Sequence, residues 1–295
     1  RWVGSRVALL GGLFLTLSLW HVGWSQTGRH FALQALLVLL ALHFFFVTWQ
    51  DELKRGVWVS AGLLLLGIFT HSSTTFYLAA FLAFLGTGWL AAMAGEAERR
   101  PEVWLKAAIP YGVALAVYLP IFFGVGRYLV ANKTAWNPPW NIIGSLVFYL
   151  PPWVLLTALA GAFVLAARRQ IHMAVILSFL FLVPAVLVTI SSAVTIASAA
   201  YCLASLPALA ILLGVSGSWL LESSAGKLQR LAVVSMISGF FLAQGSELAH
   251  YYFVYNGLKP RWEEVSTFVE QRRAEGRSEE RLVGKECSSR WSPYH

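Results

Sequence analysis

The chain has 295 residues, of which 58% are hydrophobic and only 12% charged. A water-soluble domain of that size could not hide so much apolar surface, so soluble globular and disordered classes are excluded. The net charge of +8 forms no basic stripe on a soluble face, which argues against a nucleic-acid partner.

Nine apolar stretches follow one another, at roughly 7–24, 31–49, 57–70, 76–94, 104–123, 144–167, 171–190, 201–221 and 229–249. Most reach the ~20 residues that a spanning helix needs. The third is short and is completed by the small polar residues that follow it, which is tolerable where backbone faces protein or a wet cavity. Pro110, Pro151, Pro152, Pro184 and Pro207 sit in or near these stretches and read as kinks. No internal repeat and no cleavable signal peptide stands out. The fold class is therefore an all-α polytopic membrane protein of about nine transmembrane helices.

The charges give that bundle a direction. Alternate linkers hold Arg1 and Arg6, Lys54 and Arg55, Arg99, Arg100 and Lys106, Arg168 and Arg169, then Lys227 and Arg230. The intervening loops hold only Arg29, Arg127 and Lys133. Basic residues stay on the cytoplasmic side of short loops, so the chain starts inside and ends outside. The positive balance is then mostly a topology signal.

The unusual polar residues gather on the outer side. The first outer loop carries His21, Trp24, Ser25, Gln26, Arg29 and His30, and the second reads Thr70, His71, Ser72, Ser73, Thr74, Thr75. The third holds Arg127, Tyr128, Lys133, Trp136, Asn137 and Trp140; the fourth holds Ser191, Ser192 and Thr195, with Tyr201 just beyond. The last opens with His250, Tyr251 and Tyr252, and Glu247 lies at its edge. Aromatic residues at helix ends commonly form an interfacial belt, and Arg29 and Lys133 can snorkel to headgroups. His71 within a run of hydroxyl residues packs against protein or a water-filled cavity more readily than against lipid. Together these residues suggest a site for an anionic headgroup. Arg29, Lys133 and Arg127 would neutralise phosphate, and Trp136 and Trp140 would offer flat faces with a polar tip to a lipid-linked sugar.

Several of these residues carry a family likeness. SQTGRHFAL after the first helix and GIFTHSSTTFYLAAFLAFLG after the next pair resemble the GT-C superfamily of membrane glycosyltransferases. The nearest branch holds protein mannosyltransferases, lipid A aminoarabinose transferases and Rgt-type lipopolysaccharide sugar transferases. Relatives often show Arg-Tyr where this chain has Arg29-His30, and Thr-His where it has Thr70-His71. A later pattern appears as SSAVTIASAAYCLASLPALAILL: Tyr201 matches, but Ala200 stands where an Arg is usual. AHYYFVYNGLKPRWEEVSTFVEQRRAEG is similar to the start of the family's external C-terminal domain, with Trp262-Glu263 in place of the usual Trp-Arg.

The resemblance implies a transmembrane glycosyltransferase domain over 1–250 and the start of an external domain over 251–276. It implies transfer of a sugar from a polyprenyl-phosphate-linked donor to a lipid, glycan or protein acceptor at the outer face of a bacterial inner membrane. Arg29, Lys133 and Arg127 would hold the donor phosphate. His71, His30, Tyr201, Trp136 and Trp140 would contact substrate. The family's catalytic carboxylate, which deprotonates or orients the acceptor hydroxyl, lies in its first external loop. Asp51, the only Asp, falls with Glu52 on the cytoplasmic side, so that carboxylate is expected upstream of Arg1 and the fragment is expected to be inactive. Neither a cofactor nor a metal site is predicted, because no residues have metal-ligand spacing. Arg277 to His295, RSEERLVGKECSSRWSPYH, resembles the translation of a sequencing adapter and is set aside as an artefactual tail; Cys202 is then the one relevant cysteine and no disulfide framework exists. Two other readings stay open: a transporter or flippase of lipid-linked saccharides, and a non-catalytic membrane scaffold.

Overall fold

A computed structural model of the chain describes residues 4–26, 30–50, 55–97, 99–131, 138–194, 197–224, 226–254 and 266–271. It divides into two compact units, Arg1–Ala249 and His250–His295. Helices account for nearly everything described, and no strand occurs among the described residues. The helices are α1 (Ser5–Leu17), α2 (Leu19–Gln26), α3 (Phe31–Gln50), α4 (Gly56–Thr70), α5 (Thr74–Met93) and α6 (Pro101–Ala131). They continue with α7 (Pro139–Tyr149), α8 (Pro152–Ala167), α9 (Ile171–Ser191), α10 (Leu206–Ser223) and α11 (Lys227–Phe253). A 3-10 helix, Ala199–Ser205, leads directly into α10.

All nine apolar stretches fall on helices, but they do not make nine equal spans. Six continuous helices are long and apolar enough to cross a membrane, and up to eight spans result if each of two bent pairs counts as one. At 1.5 Å per residue, ~20 residues cover the ~30 Å hydrocarbon layer. The fifteen-residue α4 does not reach that length by itself. The first bent pair, α1 and α2, turns by 61° at Ser18, whose backbone is extended at ψ 115°. The second, α7 and α8, turns by 79°. Pro151 and Pro152 cause this second break: neither can donate a helical hydrogen bond, and each pushes the residue before it out of helical geometry. The fold fits an all-α integral membrane protein, with large apolar side chains such as Phe163, Leu159, Leu156 and Leu66 turned outward.

The centre of the first unit is α10. The span that contains it, Ala199–Ser223, is 89% buried, against 50% or less for the other continuous spans. It packs against α1, α8 and α9. Small residues permit the approach. A Cβ on Gly11 would come within 2.6 Å of the Ala210 carbonyl oxygen, one on Gly161 within 2.0 Å of Leu212 O, and one on Gly214 within 2.3 Å of Val7 O. Lipid tails are as apolar as leucine, so close backbone packing and interhelical hydrogen bonds must do the work that the hydrophobic effect does in water. Ser216 Oγ adds such a bond, donating to Thr157 O at 2.6 Å. On the other side of the unit, Ser60 Oγ donates to Ala41 O at 2.7 Å and accepts from Tyr111 OH at 2.8 Å, which ties α3, α4 and α6 together.

The two ends of α3 carry different chemistry, roughly 30 Å apart for a twenty-residue helix. At its C-terminal end, Trp49 meets Trp104 at 4.7 Å between ring centroids, and the Arg99 guanidinium lies 4.7 Å over the Trp49 ring. His172 sits against Trp49, Phe84 and Trp104. The ion pair Arg168–Glu222, 2.6 Å long and half exposed at both partners, joins residues just beyond α8 and at the end of α10. Arg99 and Arg168 both belong to linkers rich in basic residues.

The close packing of α8 on α10 sets an expectation for stability. Gly161→Ala should destabilise the protein by about 1–3 kcal/mol, the usual cost of overpacking, because its methyl group meets backbone that cannot rotate away. Gly62→Ala, which meets nothing within 4 Å, should leave the thermal midpoint of detergent-solubilised protein unchanged or slightly higher. Equal midpoints for the two variants would refute the packing argument.

Candidate functional site

At the N-terminal end of α3 three of the residues singled out in the sequence, His30, His71 and Tyr201, come together. Thr70 ends α4, and His71 follows in an extended conformation (φ −157°, ψ 129°) with its N–H bonded to Gly67 O. α5 then starts three residues later. The three residues of this junction have their carbonyls satisfied by the first turn of α5: Thr74 N–H donates to His71 O, Thr75 N–H to Ser72 O, and Phe76 N–H to Ser73 O. Thr75 Oγ1 also donates to Ser72 O, at 2.6 Å. Short hydroxyl side chains are suited to this because they bond neighbouring backbone groups and take little room.

The junction holds His71 inside a cluster of rings. The His71 and His30 imidazoles stack with centroids 4.2 Å apart and planes 10° from parallel. Tyr201 lies 5.0 Å from His71, tilted by 54°, and Phe31 lies 5.2 Å away. Trp24 closes edge-on against Phe31 at 5.2 Å. Four separate segments therefore meet here: the end of α2, the start of α3, the α4–α5 junction and the 3-10 helix. The last is fixed from below. Tyr77 OH donates to Tyr201 O at 3.1 Å and shares a hydrogen bond with Ser205 Oγ at 3.2 Å. Ser198 Oγ caps the start of the 3-10 helix by accepting from Ala200 N–H.

Beneath the rings runs a polar network. His71 Nδ1 lies 2.6 Å from Ser73 Oγ and accepts from Ser73 N–H at 3.2 Å. Gln34 Nε2 donates to Ser73 Oγ at 2.9 Å and to Thr74 Oγ1 at 3.0 Å. Thr74 Oγ1 in turn donates to Gly67 O at 2.9 Å. Gln34, Ser73 and Thr74 are buried. Burial, with the neighbouring His30 as a lesser cause, lowers the pKa of His71 from its ordinary 6.5 to about 4. The ring is therefore neutral at physiological pH.

Of the residues singled out in the sequence, the structure brings His30, His71 and Tyr201 together. Arg127 is exposed near the end of α6, and Trp140 is 62% exposed in the first turn of α7. Arg29, Lys133 and Trp136 lie outside the described residues. Gln34 and Phe31 were not singled out. A glutamine in the first turn of a largely apolar twenty-residue helix is itself a signal, since a polar side chain at membrane depth needs a partner. Among the described residues no group of three or more His, Cys, Asp and Glu could hold a metal ion. Cys202 is a buried free thiol. An apolar cavity of about 340 Å³ between α1, α8, α10 and α11, lined by Phe14, Trp219 and Phe240 among others, shares no residue with the ring cluster.

The lowered pKa of His71 fixes the sign of a pH effect. Between about 4 and 6.5 the unfolded chain binds a proton at this residue and the folded chain does not, so stability must fall as pH drops through that window and level off below it. Thermal unfolding of detergent-solubilised protein between pH 7 and 4 should show a steeper loss for the unaltered chain than for His71→Gln. Parallel curves would mean that His71 titrates normally.

The chain matches no family model, no curated protein and no solved structure.

Proposed function

We propose that this chain is the membrane domain of a GT-C-type glycosyltransferase that takes its sugar from a polyprenyl-phosphate-linked donor at the outer membrane face. One observation carries the reading. His30, His71 and Tyr201, the positions that the family resemblance marks in three distant segments, meet in a single ring cluster. Three resemblances that are weak singly gain weight from this convergence, because unrelated interfacial residues would have no reason to stack on one another.

The division of labour follows from the chemistry. Tyr201 and Trp24, backed by the buried Phe31, offer aromatic faces to the apolar side of a sugar ring or to the first isoprene units. His71 contributes a hydrogen bond rather than a charge. The charge for the donor phosphate comes from Arg29, adjacent in sequence to His30, with Lys133 and Arg127 as further cations and Trp136 and Trp140 at the lipid side. The acceptor is a lipid, a glycan or a protein. In this reading the N-terminus is cytoplasmic, nine segments lie in the membrane, and the external unit follows α11.

A second reading has its own support. The two bent pairs, at 61° and 79°, resemble the broken helices on which transporters build sites, and α2, the second limb of one pair, contributes Trp24 to the cluster. A flippase of lipid-linked saccharides would move a fluorescent polyprenyl-phosphate sugar across a proteoliposome membrane; a transferase would bind it and leave it in its leaflet.

Binding of a polyprenyl-phosphate-linked sugar, measured by native mass spectrometry or scintillation proximity, tests the proposal directly. Arg29→Ala should weaken it about tenfold or more, as expected for loss of a charge-assisted hydrogen bond, and His71→Ala should weaken it less. Unchanged affinity in both variants, or no binding by the unaltered chain, would count against the site. The topology has a separate check. With Cys202 and Cys287 replaced by serine, Asn141→Cys should react with an impermeant maleimide from outside intact cells, and Glu96→Cys should react only after permeabilisation. The reverse pattern would invert the whole assignment.

A further inference from the structure

The hydrogen bonds beneath the ring cluster have a determinable direction, and it starts from a backbone carbonyl. Gly67 O can only accept, so the Thr74 hydroxyl 2.9 Å away must donate to it. Toward Gln34, Thr74 Oγ1 is then an acceptor, so the Gln34 atom at 3.0 Å must be the amide nitrogen. The same –NH2 group reaches Ser73 Oγ at 2.9 Å and gives its second proton there. Ser73 Oγ accepts from Gln34, which leaves its own proton for the atom 2.6 Å away, His71 Nδ1. The Ser73 N–H points to the same nitrogen at 3.2 Å. Nδ1 is met by two donors, so its lone pair must face them. The ring proton of a neutral imidazole then belongs on Nε2, because the hydrogen bond at one ring nitrogen sets the tautomer.

We infer that Gln34 is a positioning residue which, through Ser73, locks His71 as the Nε2–H tautomer and so turns a neutral ring into a directed N–H donor. Nε2 makes no hydrogen bond among the described residues, and its ring belongs to the cluster of Tyr201, His30 and Phe31. That donor fits an acceptor oxygen of the ligand: a phosphoryl oxygen or a sugar hydroxyl. The identity of the oxygen rests on the glycosyltransferase reading; the tautomer does not. Gln34 Oε1 is buried and has no hydrogen-bond partner among the described residues.

Nitrogen NMR of the chain labelled with 15N-histidine in lipid nanodiscs tests this without any ligand. The His71 signals are identified by their loss in His71→Gln. The expected spectrum has the proton on Nε2 and Nδ1 as a bare acceptor. Gln34→Glu presents acceptors to Ser73 and draws its proton away from the ring, so the ratio of Nδ1–H to Nε2–H should rise about fivefold or more, the worth of one hydrogen bond. Ser73→Ala should shift the ratio the same way and serves if the glutamate variant does not fold. An Nδ1–H ring in the unaltered chain, an even mixture, or a ratio unmoved by either variant would overturn the inference. Affinity for a polyprenyl-phosphate sugar, measured on the same samples, separates the two proposals. A shifted tautomer with unchanged affinity would uphold the relay and remove the ligand contact from the glycosyltransferase reading.

Discussion

In a hydrocarbon layer a helix may end only where something other than water satisfies its free backbone groups. Apart from the proline break between α7 and α8, several interruptions in this chain are hydroxyl-bearing: Ser18 between α1 and α2, Ser72 and Ser73 with the first residues of α5, and Ser198 at the head of the 3-10 helix. The ring cluster lies among these breaks. Backbone satisfaction and site construction are the same problem solved by the same atoms, since Thr74 bonds Gly67 O and also orients Gln34. The arrangement has a cost. A buried acceptor without a partner forfeits about 1–3 kcal/mol, while each hydrogen bond returns a net ~0.5–1.5 kcal/mol. The two bonds that Gln34 donates about offset its stranded oxygen, so the amide adds direction with little net stability.

Neutrality of His71 is part of the same design. Two imidazoles stacked at 4.2 Å would repel if both were charged, and partial burial already disfavours the cation. In the proposed reading His71 is therefore an uncharged partner and does not itself bring positive charge to an anionic ligand. Phosphate neutralisation falls to Arg29, Arg127 and Lys133 in the proposed reading. In that reading, separating charge from orientation leaves the partly exposed rings to contact the apolar parts of an amphipathic molecule.

Much of the architecture was legible in the sequence, and the reasons are physical. Apolar runs of ~20 residues have few other uses, so every predicted stretch lies on a helix. Their number as spans was less legible: Pro151-Pro152 and Ser18 each divide one apolar run into two limbs, and α4 is too short to cross alone. His71 stood out because a histidine among hydroxyl residues is unusual at that depth, and Tyr201 stood out only through the family pattern. Gln34 was missed because it lies three residues past the loop, inside the apolar run itself, where attention goes to length rather than to the few polar residues within it. Arg127 and Trp140 were grouped with the others by expected sidedness, but a shared side of a membrane does not bring residues into contact, and no contact with the cluster is seen for either among the described residues. The direction of the hydrogen-bond relay was beyond any sequence reading, since it depends on which hydroxyl reaches Gly67 O.

The glycine contacts along α10 bear on how the bundle is put together in time. α1 packs mainly on α2, its own continuation, and on α10, which begins roughly 190 residues later. At a synthesis rate of about 5–20 residues per second, that interval is roughly 10–40 s. Throughout it, the face of α1 around Gly11 has no native partner, and Gly214 and Ala210 have not been made. The earliest described helix is thus among the last to reach its final neighbour. The grooves that let the two backbones touch must stay unoccupied by lipid or by competing helices until the chain is nearly complete. A defect at Gly11 or Gly214 would therefore appear as a late assembly failure with normal insertion, and the quality-control machinery would meet a protein whose helices are all in place but one pair is unclosed.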